Sequence, residues 1–448
     1  MPTADVAVIG AGLAGLATAV RLAEGGARVA VFAQGNGAIH WAGGPIDVAA
    51  VPGTATVEAA LGRLAATPGH PYGFLGDDVP AAVGWFTALA EAGGLPHAGA
   101  LDVPFAGLPT GIGGVRPVAI VPAAQAAALD PWAPDERLVI VGQAGFKDFW
   151  PRAIAASLGR PEVWGELGRP ARVDGVTVDL PGLAGRHNLN ALRIADAFDD
   201  PAWRPTALEL IAAAVDATGS GPARVALPAV LGRIEHAAAL REAIERLGRP
   251  VIEVPLVPPG IPGLRLYRVL RDALRARGGR ILLGEPVARV DARDGRVVSV
   301  ATTAAARHLV TRVGALVLAT GGIAGGGLVG ETDGRIVETV LGLPTEGPPI
   351  DRWVSGDPLE PGALPIATSG LRTDAALRPV DPALPGGGAL LENVVVVGGM
   401  LAGQNWMRER CGDGIALASA WRAAATLAGG SPRTALAGTA AGANGGRS

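Results

Sequence analysis

Residues 5–32 read DVAVIGAGLAGLATAVRLAEGGARVAVF, and this stretch decides the fold. The apolar run Val6 to Ile9 predicts a strand. The turn Gly10-Ala11-Gly12-Leu13-Ala14-Gly15 follows, then a small-residue helix to about Glu24 and a second strand, Arg28 to Phe32. This is a strand–helix–strand unit with G-x-G-x-x-G in its first connection, the arrangement that binds dinucleotides. Gly10 makes the tight turn, Gly12 lets backbone approach a pyrophosphate, and Gly15 lets helix pack on strand. The N–H groups of Leu13 and Ala14 open the helix, where free donors and a partial positive charge suit a phosphate. A glycine-rich helix packed close to a sheet is the structural alternative, and Ala17 and Ala19 suit it too.

Working outward, two further strands end in glycine. Leu316 to Ala319 runs into Thr320-Gly321-Gly322, and Asn393 to Val397 runs into Gly398-Gly399-Met400-Leu401. With the first strand they would converge on the carboxyl edge of one parallel sheet, where ligands bind in such folds. A last helix opens at Cys411-Gly412-Asp413-Gly414 and would point its N-terminus at the ligand. The fold expected is α/β, a Rossmann-like FAD/NAD(P)-binding flavoprotein fold with an inserted second α/β (substrate/cap) domain. The second strand ends at Gln34, where dinucleotide folds place an acid on the adenosine ribose, so adenosine would be held more weakly.

At 448 residues, about 150 per domain suggests two or three domains. Residues 1–94 form the first part of the flavin domain and 95–260 the inserted domain. Residues 261–334 form the second part, 335–384 an irregular insertion, 385–428 the C-terminal part and 429–448 a disordered tail. Expected helices lie at 80–93, 190–199, 205–217, 235–247 and Arg265–Arg277. A hairpin turns at Asp294-Gly295, and residues 94–137 read as irregular. Gly142-Gln143-Ala144-Gly145 follows a strand and reads either as a second anion-binding turn or as an ordinary strand–helix connection.

Lys+Arg 38 against Asp+Glu 41, a net charge of −3, carries no nucleic-acid footprint. The single cysteine, Cys411, excludes an internal disulfide and an iron–sulfur cluster held by this chain alone. The six histidines show no metal-ligand spacing, so no metal site is expected. No stretch reads as a signal peptide or a membrane span.

Ala38-Ile39-His40 with Gly44 and Asp47, His70-Pro71-Tyr72, and Val141-Gly142 with Gly145 and Asp148-Phe149 carry a further signal. Gly263-Leu264-Arg265-Leu266 and Gly325-Gly326-Gly327-Leu328-Val329 add to it. Through these residues and the N-terminal fingerprint, residues 4–428 resemble the B subunits of anaerobic glycerol-3-phosphate dehydrogenases. The resemblance implies oxidation of sn-glycerol 3-phosphate to dihydroxyacetone phosphate, with electrons passed to quinone. It implies two partners, a catalytic A subunit and an iron–sulfur, membrane-associated C subunit. A cytoplasmic location follows, with membrane contact only through a partner. The resemblance also implies FMN, whereas the complete G-x-G-x-x-G points to FAD.

Within this frame Gly43 and Gly44 would let their loop approach the isoalloxazine. Ala319, Thr320, Gly321, Gly322, Gly398, Gly399 and Leu401 would line the ribityl side. His40 is the candidate base, or else a histidine that only bonds its loop. Arg265 is the candidate phosphate ligand, or else a salt-bridged arginine at a helix start. The alternative function is a flavin-bearing relay or scaffold whose partner turns over the substrate; a flavin oxidoreductase for another substrate is a third.

Overall fold

The computed structural model describes residues 3–429, apart from 184, 305–306, 358–359, 361–362 and 385. The expected tail therefore lies outside the described residues.

Thr3–Ile9, buried along its length from Val6, is a central strand of a seven-stranded sheet. It pairs in parallel with Val29–Ala33 on one side and with Arg307–Leu318 on the other. Arg280–Leu283 extends the sheet beyond Val29–Ala33, also in parallel. Parallel strands covered on both faces read as continuous apolar runs, which is why these segments are legible in the sequence.

Strand Arg307–Leu318 is longer than its apolar end suggests, because its first half is paired on one side only and has exposed positions. That half pairs antiparallel with Arg296–Ala304, which turns at Asp294-Gly295 onto Val287–Arg293. Its second half pairs in parallel with Val394–Val396 instead. Buried Asn393 fills the fork between these two partners. Its amide donates to the carbonyls of Val297 (2.8 Å) and Gly314 (2.7 Å), and its oxygen accepts the Val297 N–H at 2.8 Å. A buried fork without such a plug would leave backbone groups unpaired.

Helix Leu13–Glu24 packs on the C-terminal helix, Gly412–Leu427. Both are rich in buried small residues, alanine, glycine and Thr18 on the first and alanine, Gly414 and Ser419 on the second, so their axes approach closely. Thr18 is fully buried and donates to the Ala14 carbonyl at 2.7 Å, satisfying its hydroxyl inside its own helix.

A second, four-stranded sheet is built in the middle of the chain, in the order Val251–Val254, Ala223–Pro228, Arg137–Gln143, Arg172–Val178, all parallel. Helices Pro151–Leu158, Ala191–Asp199, Arg204–Asp216 and His236–Leu247 pack around it, forming a core of their own. Strand Arg172–Val178 escapes a reading of the sequence because its positions are half-buried and mixed in polarity. Residues 94–137 are less irregular than expected: His97–Gly99 pairs with Ile120–Pro122, and Ala106–Pro109 with Val115–Val118. Helix Ile261–Ala276 starts four residues before Arg265, with Pro262 in its first turn, where a missing N–H costs nothing.

The turn Gly142–Gly145 is an ordinary connection. Its Gln143 oxygen accepts the Leu180 N–H at 2.8 Å, and the next helix begins only at Pro151.

Candidate functional site

The three glycine-ended strands do meet at one edge. The Ala319 N–H donates to the Ile9 carbonyl at 2.9 Å, and the Val397 N–H to the Leu318 carbonyl at 3.1 Å. A side chain on Gly10 would run into the carbonyl of Ala319, and one on Gly15 into the carbonyl of Gly10. One on Gly322 would strike the carbonyl of Gly399. These glycines are needed by the protein's own packing.

Gly12 is different. Its backbone is extended (φ −80°, ψ −176°), open to any residue, and a Cβ built there meets nothing within 4 Å. From the other side the backbone of Gly37 lies against it, 2.6 Å separating a Cβ on Gly37 from the Gly12 Cα. Neither packing nor conformation calls for glycine at position 12, but a phosphate lying on that backbone does. The N–H groups of Leu13 and Ala14 sit beside this open space at the start of the helix. The cradle fits a nucleotide pyrophosphate.

The other expected residues divide. Thr320 is half-buried, and its hydroxyl points at the Met400 sulfur at 3.1 Å, as does the Gly322 N–H at 3.2 Å. Gly321 is half-buried and Gly399 exposed, so both offer backbone at the edge. Gly398 is packed against Ala14, 2.6 Å separating its built Cβ from that methyl. Leu401 is 1% exposed and lies in the core, so its side chain does not line the edge; its apolar character explains the placement. Gln34 is exposed at the end of the second strand.

The loop after that strand forms a short helical turn at Ala38–Trp41. His40 stands edge-on to Tyr267, ring centroids 4.7 Å apart, and its Nε2 is buried with no hydrogen-bond partner. Burial lowers its pKa, so the ring is neutral and able to take a proton at ordinary pH. Gly43 and Gly44 face the middle of the chain. The Gly43 carbonyl accepts from Gln125 at 2.8 Å, and Gly44 has φ +115° with Gln125 Oε1 2.8 Å from a built Cβ. This loop is therefore clamped against the Ile120–Ala128 segment, as the Ile46 N–H to Ile120 carbonyl bond at 3.0 Å also shows.

Arg265 is a correction. Its Nη1 and Nη2 donate to both oxygens of Glu253, at 2.6 and 2.9 Å, and its Nε donates to the Gly232 carbonyl at 2.8 Å. Both side chains are buried, Arg265 at 4% and Glu253 at 0% exposure. Its fork is fully used inside the protein, so it is not free to hold a substrate phosphate. Glu253 also accepts the Leu231 N–H at 2.7 Å. The pair fastens helix Ile261–Ala276 to strand Val251–Val254, a role the sequence alone cannot separate from ligand binding.

Charged groups gather beside the Gly43–Asp47 loop, among them Arg116, which the sequence by itself does not single out. Arg116 is ion-paired with Asp47. The Asp47 N–H donates to the Asp413 carboxyl at 2.9 Å, and the Asp47 carbonyl accepts the N–H groups of Asp413 and Gly414, each at 3.0 Å. The start of the last helix thus closes on this loop, and those two N–H groups are not free for a ligand. Tyr72 seals the same junction, its hydroxyl donating to the Val48 carbonyl. Burial, then the charge of Asp47, push the Asp413 carboxyl up to about 7, against the Asp47 N–H and Arg116. A carboxyl whose folded pKa is raised stabilises the fold below its unfolded value, and that contribution is lost as pH rises to about 7. Asp413→Asn should therefore flatten the decline in unfolding midpoint of the flavin-free chain between about pH 4 and 7. An unchanged pH profile would remove Asp413 as its source.

His70, Glu409 and Cys411 place three ligand-type atoms within 4.8 Å of one another. Proton bookkeeping argues against a cation there. The His70 Nδ1 accepts the Tyr72 N–H at 3.1 Å, so the neutral ring carries its proton on Nε2, 3.4 Å from Glu409. The Cys411 thiol (3.4 Å) and the Asn405 N–H (2.7 Å) donate to the same carboxylate oxygen. Burial raises the Glu409 pKa but these donors prevail and lower it. The cluster is a carboxylate bonded by two donors, with the buried His70 Nε2 facing it at 3.4 Å, and it ties the 405–411 turn together.

Residues 5–415 match the family model described as FAD binding domain. Over 437 residues the chain is 33% identical to the probable B subunit of the anaerobic glycerol-3-phosphate dehydrogenase of Halobacterium salinarum, covering 95% of this chain and 97% of that protein. It is 31% identical over 435 residues to the B subunit of the Yersinia pestis anaerobic glycerol-3-phosphate dehydrogenase, covering 93% and 96%. The chain belongs to the family of anaerobic glycerol-3-phosphate dehydrogenase B subunits. It is part of a flavin-dependent dehydrogenase, and the cofactor edge is of the FAD-binding type. Among solved structures, the 3-ketosteroid-delta4-(5alpha)-dehydrogenase of Rhodococcus jostii RHA1 is similar at 14% identity, covering 95% of this chain and 97% of that one, with a TM-score of 0.41. Among the described residues no helix is long and apolar enough to cross a membrane.

Proposed function

We propose that this chain oxidises sn-glycerol 3-phosphate at C2 to dihydroxyacetone phosphate on its own flavin, FAD, and hands the electrons to partner subunits that reduce quinone. The observation that carries this reading is the near full-length identity to B subunits of that dehydrogenase, on a chain whose Gly12 backbone is open for a phosphate. FAD held at this edge would supply the acceptor for the hydride of the carbinol carbon. The hydroxyl proton must leave at the same time, because an alcohol is far too weak an acid to ionise at neutral pH. His40 is the group assigned to it: neutral, with an Nε2 that makes no hydrogen bond within the protein and that is covered until the site opens to substrate. A positioned base contributes roughly 10²–10⁴-fold in rate.

The electrons must then leave through another polypeptide, since one cysteine holds no iron–sulfur cluster. A partner carrying such a cluster at the membrane also accounts for how a chain with no spanning helix among its described residues would reach quinone.

The test is anaerobic addition of glycerol 3-phosphate to the isolated, flavin-loaded chain. Bleaching of the flavin is expected, together with release of FAD on denaturation. His40→Gln should slow bleaching about 10²–10⁴-fold with little change in the concentration dependence. In wild type the rate should fall only at pH below the usual imidazole range, because burial lowers the His40 pKa. A flavin that stays oxidised alone but is reduced within the assembled complex assigns substrate turnover to the partner and leaves this chain as the relay.

A further inference from the structure

Arg410 is an arginine whose guanidinium is not directly paired. It is half-buried, and among the described residues it makes no ion pair and no side-chain hydrogen bond. Its backbone is left-handed, φ +48°, a conformation that glycine adopts freely and a side-chain-bearing residue does not. The neighbouring chain enforces that conformation. The Glu409 carbonyl accepts the Ala50 N–H at 2.8 Å, the Glu409 carboxylate is committed to His70, Asn405 and Cys411, and Asp413 is tied to Asp47.

A second guanidinium stands close by. Arg116 is paired with Asp47, its Nη1 lies 3.9 Å from a Cβ built on Gly43, and its Nε is buried without a partner. Asp47 joins the two, paired with Arg116 and bonded to Asp413, three residues after Arg410; burial first and then the Arg116 charge lower the Arg410 pKa, while Asp47 raises it. Among the described residues Asp47 is ion-paired with Arg116 and not with Arg410, and the carboxyl of Asp413 is already engaged by the Asp47 N–H. The junction holds more guanidinium fork than the protein pairs, beside the Gly43–Asp47 loop. Bringing like charges together in a half-buried place is unfavourable unless an anion completes it.

We propose that Arg410, with Arg116, forms the subsite for the phosphoryl group of the substrate, the place first expected of Arg265. Two planar forks suit a tetrahedral dianion, which each can take through two parallel N–H bonds. This inference rests on the reading of the substrate as a phosphorylated polyol, and its test separates the two.

The experiment uses the flavin-loaded chain and the variant Arg410→Gly, which removes the guanidinium and suits the left-handed backbone. Binding of inorganic phosphate and of glycerol 3-phosphate is measured by calorimetry, alongside the flavin midpoint potential. Affinity for both ligands is expected to fall roughly 10- to 100-fold, with the potential and the unfolding midpoint retained. Arg410→Lys should fall between the two, because it keeps the charge and loses the fork. Wild-type affinity in Arg410→Gly, or no phosphate binding by wild type, overturns the proposal. So does a shift in flavin potential with affinity unchanged, which would assign the arginine to negative charge on the flavin itself. If phosphate binds through Arg410 but glycerol 3-phosphate never reduces the flavin, the dehydrogenase reading fails and the subsite stands. If Arg410→Gly is reduced with an unchanged concentration dependence, the subsite fails and that reading stands.

Discussion

Arg265→Met is expected to lower the stability of the chain by about 3–5 kcal/mol, the usual consequence of leaving one member of a buried ion pair alone. Glu253 has no exposed surface and would keep a charge bonded only by the Leu231 N–H, with the buried His236 ring as its remaining titratable neighbour. The sign of the pH dependence should invert. In the native protein burial raises the Glu253 pKa, but Arg265 outweighs it and the net shift is downward. A lowered carboxylate pKa contributes stability above the unfolded value, lost as pH falls through the folded one. In Arg265→Met the unpaired carboxyl has its pKa raised, so stability should instead improve on acidification toward the ordinary carboxylate range. Urea unfolding at several pH values reads both effects. Replacing both partners, as in Arg265→Met with Glu253→Leu, should be milder than Arg265→Met, because no buried charge is left over. If Arg265→Met unfolds at the wild-type midpoint and changes only the KM for glycerol 3-phosphate, the arginine belongs to the substrate after all.

The second large effect is at Gly12. Gly12→Val should abolish flavin retention while the flavin-free chain unfolds at the wild-type midpoint or slightly above it. A glycine replaced where its conformation is ordinary stabilises by about 0.4–1 kcal/mol through the unfolded chain. Loss of two charge-assisted hydrogen bonds to a phosphate, at roughly 1.5–3 kcal/mol each, corresponds to about 10²–10⁴-fold in flavin affinity. Gly10→Val is the control. It forces a side chain into the Ala319 carbonyl at φ +116°, and the fold itself should fail. Stoichiometric flavin in purified Gly12→Val would show the open space beside residue 12 to be unused.

Residues 5–32 and the two later glycine-ended strands make the cofactor sheet legible, because parallel buried strands are apolar throughout and each ends in a glycine turn, although the contacts that require Gly10 and Gly322 come from Ala319 and Gly399, far away in the chain. Position 34, at the end of the second strand, is likewise readable, since its register follows from the strand itself. What the sequence cannot contain is which of several charged side chains faces which. Arg265 lies 12 residues from Glu253, and only the packing of a helix across a strand brings fork and carboxylate together. Arg116 and Asp47 are 69 residues apart, and Asp47 and Asp413 are 366 residues apart. Their meeting depends on how the middle of the chain folds back on the cofactor domain. Local patterning encodes burial and turns, because both depend on near neighbours. Pairing and desolvation of charge depend on the whole chain, so the tertiary structure alone took the phosphate role from Arg265 and left Arg410 unpaired.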